Sequence, residues 1–253
     1  MLKTRLIPTL LWKELGLVKS ANFKNSRRVG SALPAIKVYN SRDVDELILC
    51  DVDASSVGCA PNYSLVKEVA AECFVPLTVA GGISKLEHIE KLLECGADKV
   101  AINTSLFTNP ELIDRASRQF GSQCLVASID ARRISTGWEC MKNSGQVSTG
   151  KAPDIWAREL ADRGSGEILI TSIDRDGTMS GYDVQLIDAV CRAVNVPVIA
   201  SGGAGDSTHM VDVLRNTFAS AIAAASIFHF TETTPNEIKQ ELIKEGFPMR
   251  VSL

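Results

Sequence analysis

The sequence contains no apolar run approaching membrane-spanning length, no Cys-x-x-Cys pair and no large excess of either charge. A bilayer-crossing helix needs about 20 consecutive apolar residues, so a chain of membrane-spanning helices is excluded. Twenty-seven Lys and Arg against 30 Asp and Glu leave a net charge of −3. That balance gives no bulk attraction to nucleic acid or to an anionic membrane, and neither is an expected partner. The seven cysteines are odd in number, and several sit in apolar runs such as Leu47-Ile48-Leu49-Cys50. Buried free thiols in a reducing compartment explain them better than disulfides. The cysteines and His88, His209 and His229 show no metal-ligand spacing, and neither a metal nor a cofactor is expected. The N-terminal MLKTRLIPTLLWKELG has only a few apolar residues before Lys13 and no small-residue cleavage site, which does not make a signal peptide. A soluble cytoplasmic protein is expected.

What is present is a large apolar fraction, 45% of 253 residues, enough for a substantial core. Short β-branched runs at 5–10, 46–52, 75–80, 99–103, 123–130, 167–173, 196–201 and 219–224 read as strands. Most are continuously apolar, which suits parallel strands buried on both faces. Amphipathic stretches at 33–42, 64–73, 86–95, 110–119, 155–163, 184–194, 207–215 and 235–245 read as the helices between them. Eight strands, each followed by a helix, predict a single (β/α)₈ barrel over residues 1–253. A doubly wound sheet is disfavoured because no G-x-G-x-x-G follows the first strand. Residues 132–151, rich in Ser, Thr, Gly and Lys, read as an insertion after the fifth strand.

The chain also repeats itself at a shift of 121 residues. Glu46-Leu-Ile-Leu-Cys-Asp-Val-Asp53 lies over Glu167-Ile-Leu-Ile-Thr-Ser-Ile-Asp174, Gly81-Gly82 over Gly202-Gly203, and Ser105 over Ser226. Val75-Pro-Leu-Thr-Val-Ala80 and Val196-Pro-Val-Ile-Ala-Ser201 superpose too. Two half-barrels, roughly 1–121 and 122–253, are expected. The repeat puts Gly-Gly pairs at the ends of the third and seventh strands, and Asn103-Thr104-Ser105 and Ala224-Ala225-Ser226 after the fourth and eighth. In a barrel these loops form the active face, where glycine admits a phosphate close to backbone N–H groups and a helix start favours an anion. One Gly-Gly could be an ordinary tight turn. Two in register with matching hydroxyl loops favour a phosphorylated small-molecule substrate carrying two phosphate-like groups.

These segments resemble the cyclase subunit of imidazole glycerol phosphate synthase. The likeness covers essentially the whole chain. It is strongest at Thr171-Ser-Ile-Asp-Arg-Asp-Gly-Thr-Met-Ser-Gly-Tyr-Asp183, with Phe120-Gly-Ser-Gln123, Ala200-Ser-Gly-Gly-Ala-Gly205 and Ser226-Ile-Phe-His-Phe230 fitting as well. The resemblance implies a barrel paired with a glutaminase, whose ammonia passes through to cleave and cyclise a ribulosyl nucleotide with two phosphates. It implies Asp130 as one catalytic carboxylate, and Lys19, Gly82, Asn103, Thr104, Thr171, Asp176, Gly177, Gly203 and Ser226 as substrate- or phosphate-binding residues. It also implies an ammonia gate of Arg5, Glu46, Lys99 and Glu167 at the N-terminal mouth, with Asp98 facing the glutaminase. A plain salt-bridge ring could seal any barrel, but all four charges match the ammonia-using family.

One position departs from the family. Its second catalytic aspartate should stand at the end of the first strand, where this chain has Leu11. Leucine transfers no proton, and general acid–base catalysis commonly supplies about 10²–10⁴ in rate. With Lys37-Val-Tyr-Asn-Ser-Arg-Asp-Val-Asp-Glu46, the departure looks like a paralogue branch associated with surface-polysaccharide synthesis. There, glutamine-derived ammonia is passed toward acetamidino-sugar formation by a separate amidotransferase-like partner. The alternative is true imidazole glycerol phosphate synthesis with Asp51 or Glu14 as substitute acid. A third reading, an Amadori-type sugar phosphate isomerase, shares the repeat but needs the same first-strand aspartate and has no use for a gate.

Overall fold

The computed structural model describes residues 3–230 and 233–250, with the side chains of His229 and Phe230 outside the description. Met1 and Leu2 of the N-terminal stretch therefore fall outside it, as do 251–253 of the second half. Eight parallel strands close on themselves: β1 (Arg5–Lys13), β2 (Leu47–Asp51), β3 (Leu77–Ala80), β4 (Lys99–Ile102), β5 (Leu125–Ile134), β6 (Glu167–Ser172), β7 (Val198–Ser201) and β8 (Ala221–Ala224). The ring closes where β1 meets β8 through Arg5↔Ala221 to Pro8↔Ala224, and β5 meets β6 through Glu167↔Val126 to Ser172↔Ala131. Outside run α1 (Ala32–Asn40), α2 (Tyr63–Glu72), α3 (Leu86–Glu94), α4 (Glu111–Phe120), α5 (Pro153–Asp162), α6 (Val184–Ala193), α7 (Ser207–Asn216) and α8 (Pro235–Lys244). This is the expected (β/α)₈ barrel. Among the described residues no helix is long and apolar enough to cross a membrane.

The apolar residues form two cores. One lies between sheet and helices, where α3 buries Ile89 and Leu92 and α4 buries Leu112, Ile113 and Ala116. Each such Leu or Ile side chain contributes roughly 1.5–3 kcal/mol relative to exposure. The other fills the barrel interior with Ile7, Ile48, Ala80, Ala101, Val126, Leu169 and Ile199. Apolar runs along the strands are thus divided by period 2 between the two cores. The inward row is apolar only in its middle: on β1 it runs Arg5, Ile7, Thr9, Leu11, and on β6 Glu167, Leu169, Thr171. Some helix starts carry side-chain caps: Asp183 Oδ1 accepts from the Leu186 N–H (3.2 Å), and Thr234 and Glu237 form a capping box on α8.

Two hairpins depart from the strand–helix rhythm. Gly16–Ala21 and Lys24–Gly30 form an antiparallel pair after β1, and Gly137–Lys142 with Val147–Ser148 pairs onto the extended end of β5. The stretch 132–151, expected as an insertion after the fifth strand, is largely folded as antiparallel sheet. Lys24-Asn-Ser-Arg-Arg-Val-Gly30 is exposed along nearly its whole length and lacks an alternating apolar pattern, so its strand character comes from pairing alone.

Candidate functional site

The hairpins roof the C-terminal mouth. Asn22, between the first pair, donates its backbone N–H to the Asp176 carbonyl (2.8 Å) and its side-chain N–H to the carbonyls of Ile173 (3.1 Å) and Asp174 (2.8 Å). At the tip of the second hairpin, Ser144 Oγ donates to the Val52 carbonyl (2.6 Å), and the Asn143 N–H donates to Thr104 Oγ1 (3.0 Å). Trp138 Nε1 donates to Asp183 Oδ2 (2.8 Å), tying this hairpin to the start of α6. Gly177 has a left-handed φ of 70°, and a Cβ there would run into the Ser20 carbonyl, so only glycine lets the first hairpin close on the β6 loop.

Beneath the roof is a cavity of about 210 Å³. Its lining includes Gly82, Asn103, Thr104, Asp130, Thr171, Asp176, Gly177, Gly203 and Ser226, so the fold gathers nine of the ten catalytic and substrate-binding residues expected from sequence. The tenth, Lys19, stands on the first hairpin outside the lining, with its charge acting on Asp176. The Gly81-Gly82 and Gly202-Gly203 turns follow β3 and β7, half a barrel apart. Gly82 (φ 70°) and Gly203 (φ 112°) are both left-handed, and a Cβ at either would meet a neighbouring carbonyl.

Some expected ligands have internal partners. Thr104 Oγ1 accepts from Asn143, and Ser105 Oγ donates to the Ile83 carbonyl (2.7 Å), so in this arrangement the first hydroxyl loop braces its neighbours. Asn103 donates from Nδ2 to Asp130 Oδ2 (2.7 Å), while its buried Oδ1 has no partner. Asn103 therefore orients the carboxylate.

Asp130 projects from β5 and Leu11 from β1, half a turn of the barrel away. Burial and the nearby Asp176 charge push the Asp130 carboxyl up to about 7, partly opposed by the Asn103 hydrogen bond. Burial likewise pushes Asp176 up to about 7 against the pull of Lys19. A carboxyl near 7 exists in both protonation states at neutral pH, which suits a proton-transfer group. Burial pushes the Cys50 thiol up to about 12, with Asp130, Asp51 and Asp176 adding to the rise. Cys50, Thr9, Ser144 and Gln146 also line the cavity and were not foreseen. The period-2 inward row on β2, Ile48 then Cys50, carried the signal for Cys50; nothing in sequence marks Ser144 or Gln146. Of the two candidate substitute acids, Glu14 is exposed and outside the lining. Asp51 lines the cavity, but its Oδ1 accepts from the Asp53 (3.2 Å) and Ala54 (3.1 Å) N–H groups of a turn.

The N-terminal mouth carries a closed ring. Arg5 Nη1 bonds Glu46 Oε1 (2.8 Å) and Glu167 Oε1 (2.9 Å), and Lys99 Nζ bonds Glu46 Oε2 (3.0 Å) and Glu167 Oε1 (3.0 Å). Burial works against the Arg5 charge, yet Glu167 and Glu46 outweigh it and hold its pKa above the ordinary value. Glu167 Oε2 is buried without a partner. Exposed Asp98 adjoins the ring, and its Oδ2 accepts from the Leu77 N–H (2.8 Å). Among the described residues no cluster of His, Cys, Asp and Glu could hold a metal ion.

Fold and site define a barrel with an acidic cavity at one mouth and a charged ring at the other. The model of the histidine biosynthesis protein family matches residues 5–234. Two relatives, both imidazole glycerol phosphate synthase subunit HisF, come from Caulobacter vibrioides strains NA1000 / CB15N and ATCC 19089 / CIP 103742 / CB 15. Each is 44% identical over 253 residues, covering 99% of this chain and 97% of the relative. The chain belongs to the histidine biosynthesis protein family.

Proposed function

We propose that this chain is a cyclase-type, ammonia-using subunit of the kind found in imidazole glycerol phosphate synthase, acting on a ribulosyl nucleotide with two phosphates. The observation that carries the reading is the similarity along the whole length to the HisF relatives. The two Gly-Gly turns on opposite sides of one cavity support it, since that placement suits a substrate with an anionic group at each end. In this reading Asp130, oriented by Asn103, moves protons at the attacking and departing nitrogens. A glutaminase docks on the N-terminal face beside Asp98, and ammonia enters through the ring of Arg5, Glu46, Lys99 and Glu167. The halves 1–121 and 122–253 are read as copies of one half-barrel, which accounts for the paired turns.

A second reading rests on one observation, the apolar Leu11 in the cavity wall where the family places a carboxylate. Leu11 favours a paralogue that delivers ammonia for acetamidino-sugar formation, with a separate amidotransferase-like enzyme. The two readings separate in one assay, in which the chain is supplied with the ribulosyl nucleotide and free ammonia. The cyclase reading expects imidazole glycerol phosphate, formed about 10²-fold more slowly than by an aspartate-bearing relative. No detectable product, together with no measurable binding of the nucleotide, would overturn it and favour the sugar reading. Failure to co-purify with a co-encoded glutaminase, or Asp98→Ala leaving glutamine-driven turnover unchanged, would overturn the docking arrangement.

A further inference from the structure

We infer that Asp176 is the second proton-transfer group of this site, paired with Asp130 in the role that Leu11 cannot fill. The inference rests on the cyclase reading for its substrate but on the cavity for its geometry. β5 and β6 are adjacent, and Thr171 stands in register with Asp130, so the loop leaving β6 brings Asp176 to the same side of the cavity as Asp130. The backbone of that loop does the structural work at this residue. The Asp176 N–H donates to the Ser172 carbonyl (2.9 Å) and its carbonyl accepts from Asn22 (2.8 Å), leaving the carboxylate to the cavity wall. A carboxylate also repels phosphate, so a purely phosphate-binding role does not explain this residue.

The groups facing the pair are few. Lys19 on the first hairpin acts on Asp176, Asn103 donates to Asp130, Cys50 lies within electrostatic reach of both carboxyls and Cys140 of Asp130, and Asp51 lines the same cavity. Both thiols are held protonated by burial, and Asp51 is engaged with the turn at Asp53 and Ala54. Like charges in one buried cavity cannot both ionise cheaply, so at neutral pH the pair holds about one proton between its two carboxyls. One member is then an acid and the other a base. In turnover the protonated carboxyl gives its O–H proton to the departing nitrogen as the carbon–nitrogen bond breaks. The nitrogen of ammonia replaces the ribulosyl carbonyl oxygen, which leaves as water with two of the ammonia protons, and the ionised carboxyl takes the third as that nitrogen closes the ring. The total stays at one proton, its position exchanged.

The test uses the full chain with the ribulosyl nucleotide and ammonium chloride. Asp176→Asn is expected to lower kcat about 100-fold with KM within threefold, and to remove one limb of the pH–rate profile, whereas Asp176→Glu recovers at least a tenth of the rate. A kcat within threefold of the parent, or a loss confined to KM, would overturn the assignment while leaving the cyclase reading standing. If the parent chain makes no imidazole product, the cyclase reading falls and the pair is judged by carboxyl titration of ligand-free protein, using ¹³C-labelled aspartate. One proton retained by the pair beyond about pH 6, and lost earlier in Asp176→Asn, upholds it. Two carboxyls that both ionise below about pH 5 overturn it.

Discussion

The two mouths of the barrel use buried charge in opposite ways. At the N-terminal mouth Arg5 and Lys99 each bond Glu46 and Glu167, so every charge has two opposite neighbours. At the C-terminal mouth Asp130 and Asp176 share a cavity in which Lys19 bears on Asp176 without offsetting its burial, and both rise to about 7. Compensated charge fixes ionisation and geometry, whereas uncompensated charge leaves protonation open near neutral pH. The first arrangement suits a seal or gate, the second suits chemistry.

The sharpest way to break the comparison is to spoil the balanced end. Glu46→Lys leaves three cations around one carboxylate, and chemical denaturation is expected to show a loss of about 3–5 kcal/mol. A loss below about 1 kcal/mol would mean the ring is solvated rather than mutually dependent.

Next comes the unbalanced end. Leu11→Asp places a carboxylate across the cavity from Asp130, and turnover of the ribulosyl nucleotide with free ammonia is expected to rise about 10–100-fold. An unchanged rate would show that the pocket has diverged in more than this residue, and fast turnover with Leu11 in place would show that the position does not decide the function.

The contrast also predicts a pH dependence. The folded pKa of Asp130 and of Asp176 lies above the unfolded value of about 3.9, so the folded state keeps protons that the unfolded chain releases. Their contribution is fully present below about pH 4 and is lost as pH rises toward 7. Asp130→Asn removes one titration, so its stability relative to the parent is expected to improve by up to about 3–4 kcal/mol between pH 4 and 8, followed by denaturant midpoints. A parallel pH profile for the two proteins would contradict the assigned shift. The mildest effect concerns the Gly-Gly turns: crystals grown in phosphate are expected to hold an anion near Gly82 and Asn103 and another near Gly203 and Ser226, and both positions holding only water would count against paired anion sites.

The eight strands and eight major helices were legible because a buried parallel strand and an amphipathic helix differ in period and length. Their ends fall within a few residues of expectation, as at Leu86–Glu94 against 86–95. The hairpins were not legible. Lys24–Gly30 is polar and exposed, and Ser144 and Gln146 reach the cavity from the tip of the second hairpin, a segment that reads as an insertion. Strand character there depends on a partner strand, which no local pattern encodes.

The sequence by itself determined the barrel, its paired glycine turns, the four charges that start or flank strands, and an apolar residue, Leu11, near the end of the first strand. These follow from side-chain type and spacing along one chain. Only the tertiary structure decided that Arg5 and Lys99 each bond both glutamates, that Asn103 holds Asp130, that Asp51 is occupied by a turn, and that Asp176 shares a cavity with Asp130. Those relations join residues far apart in the chain, and their energies depend on burial and separation, which exist only once the ring of strands has closed.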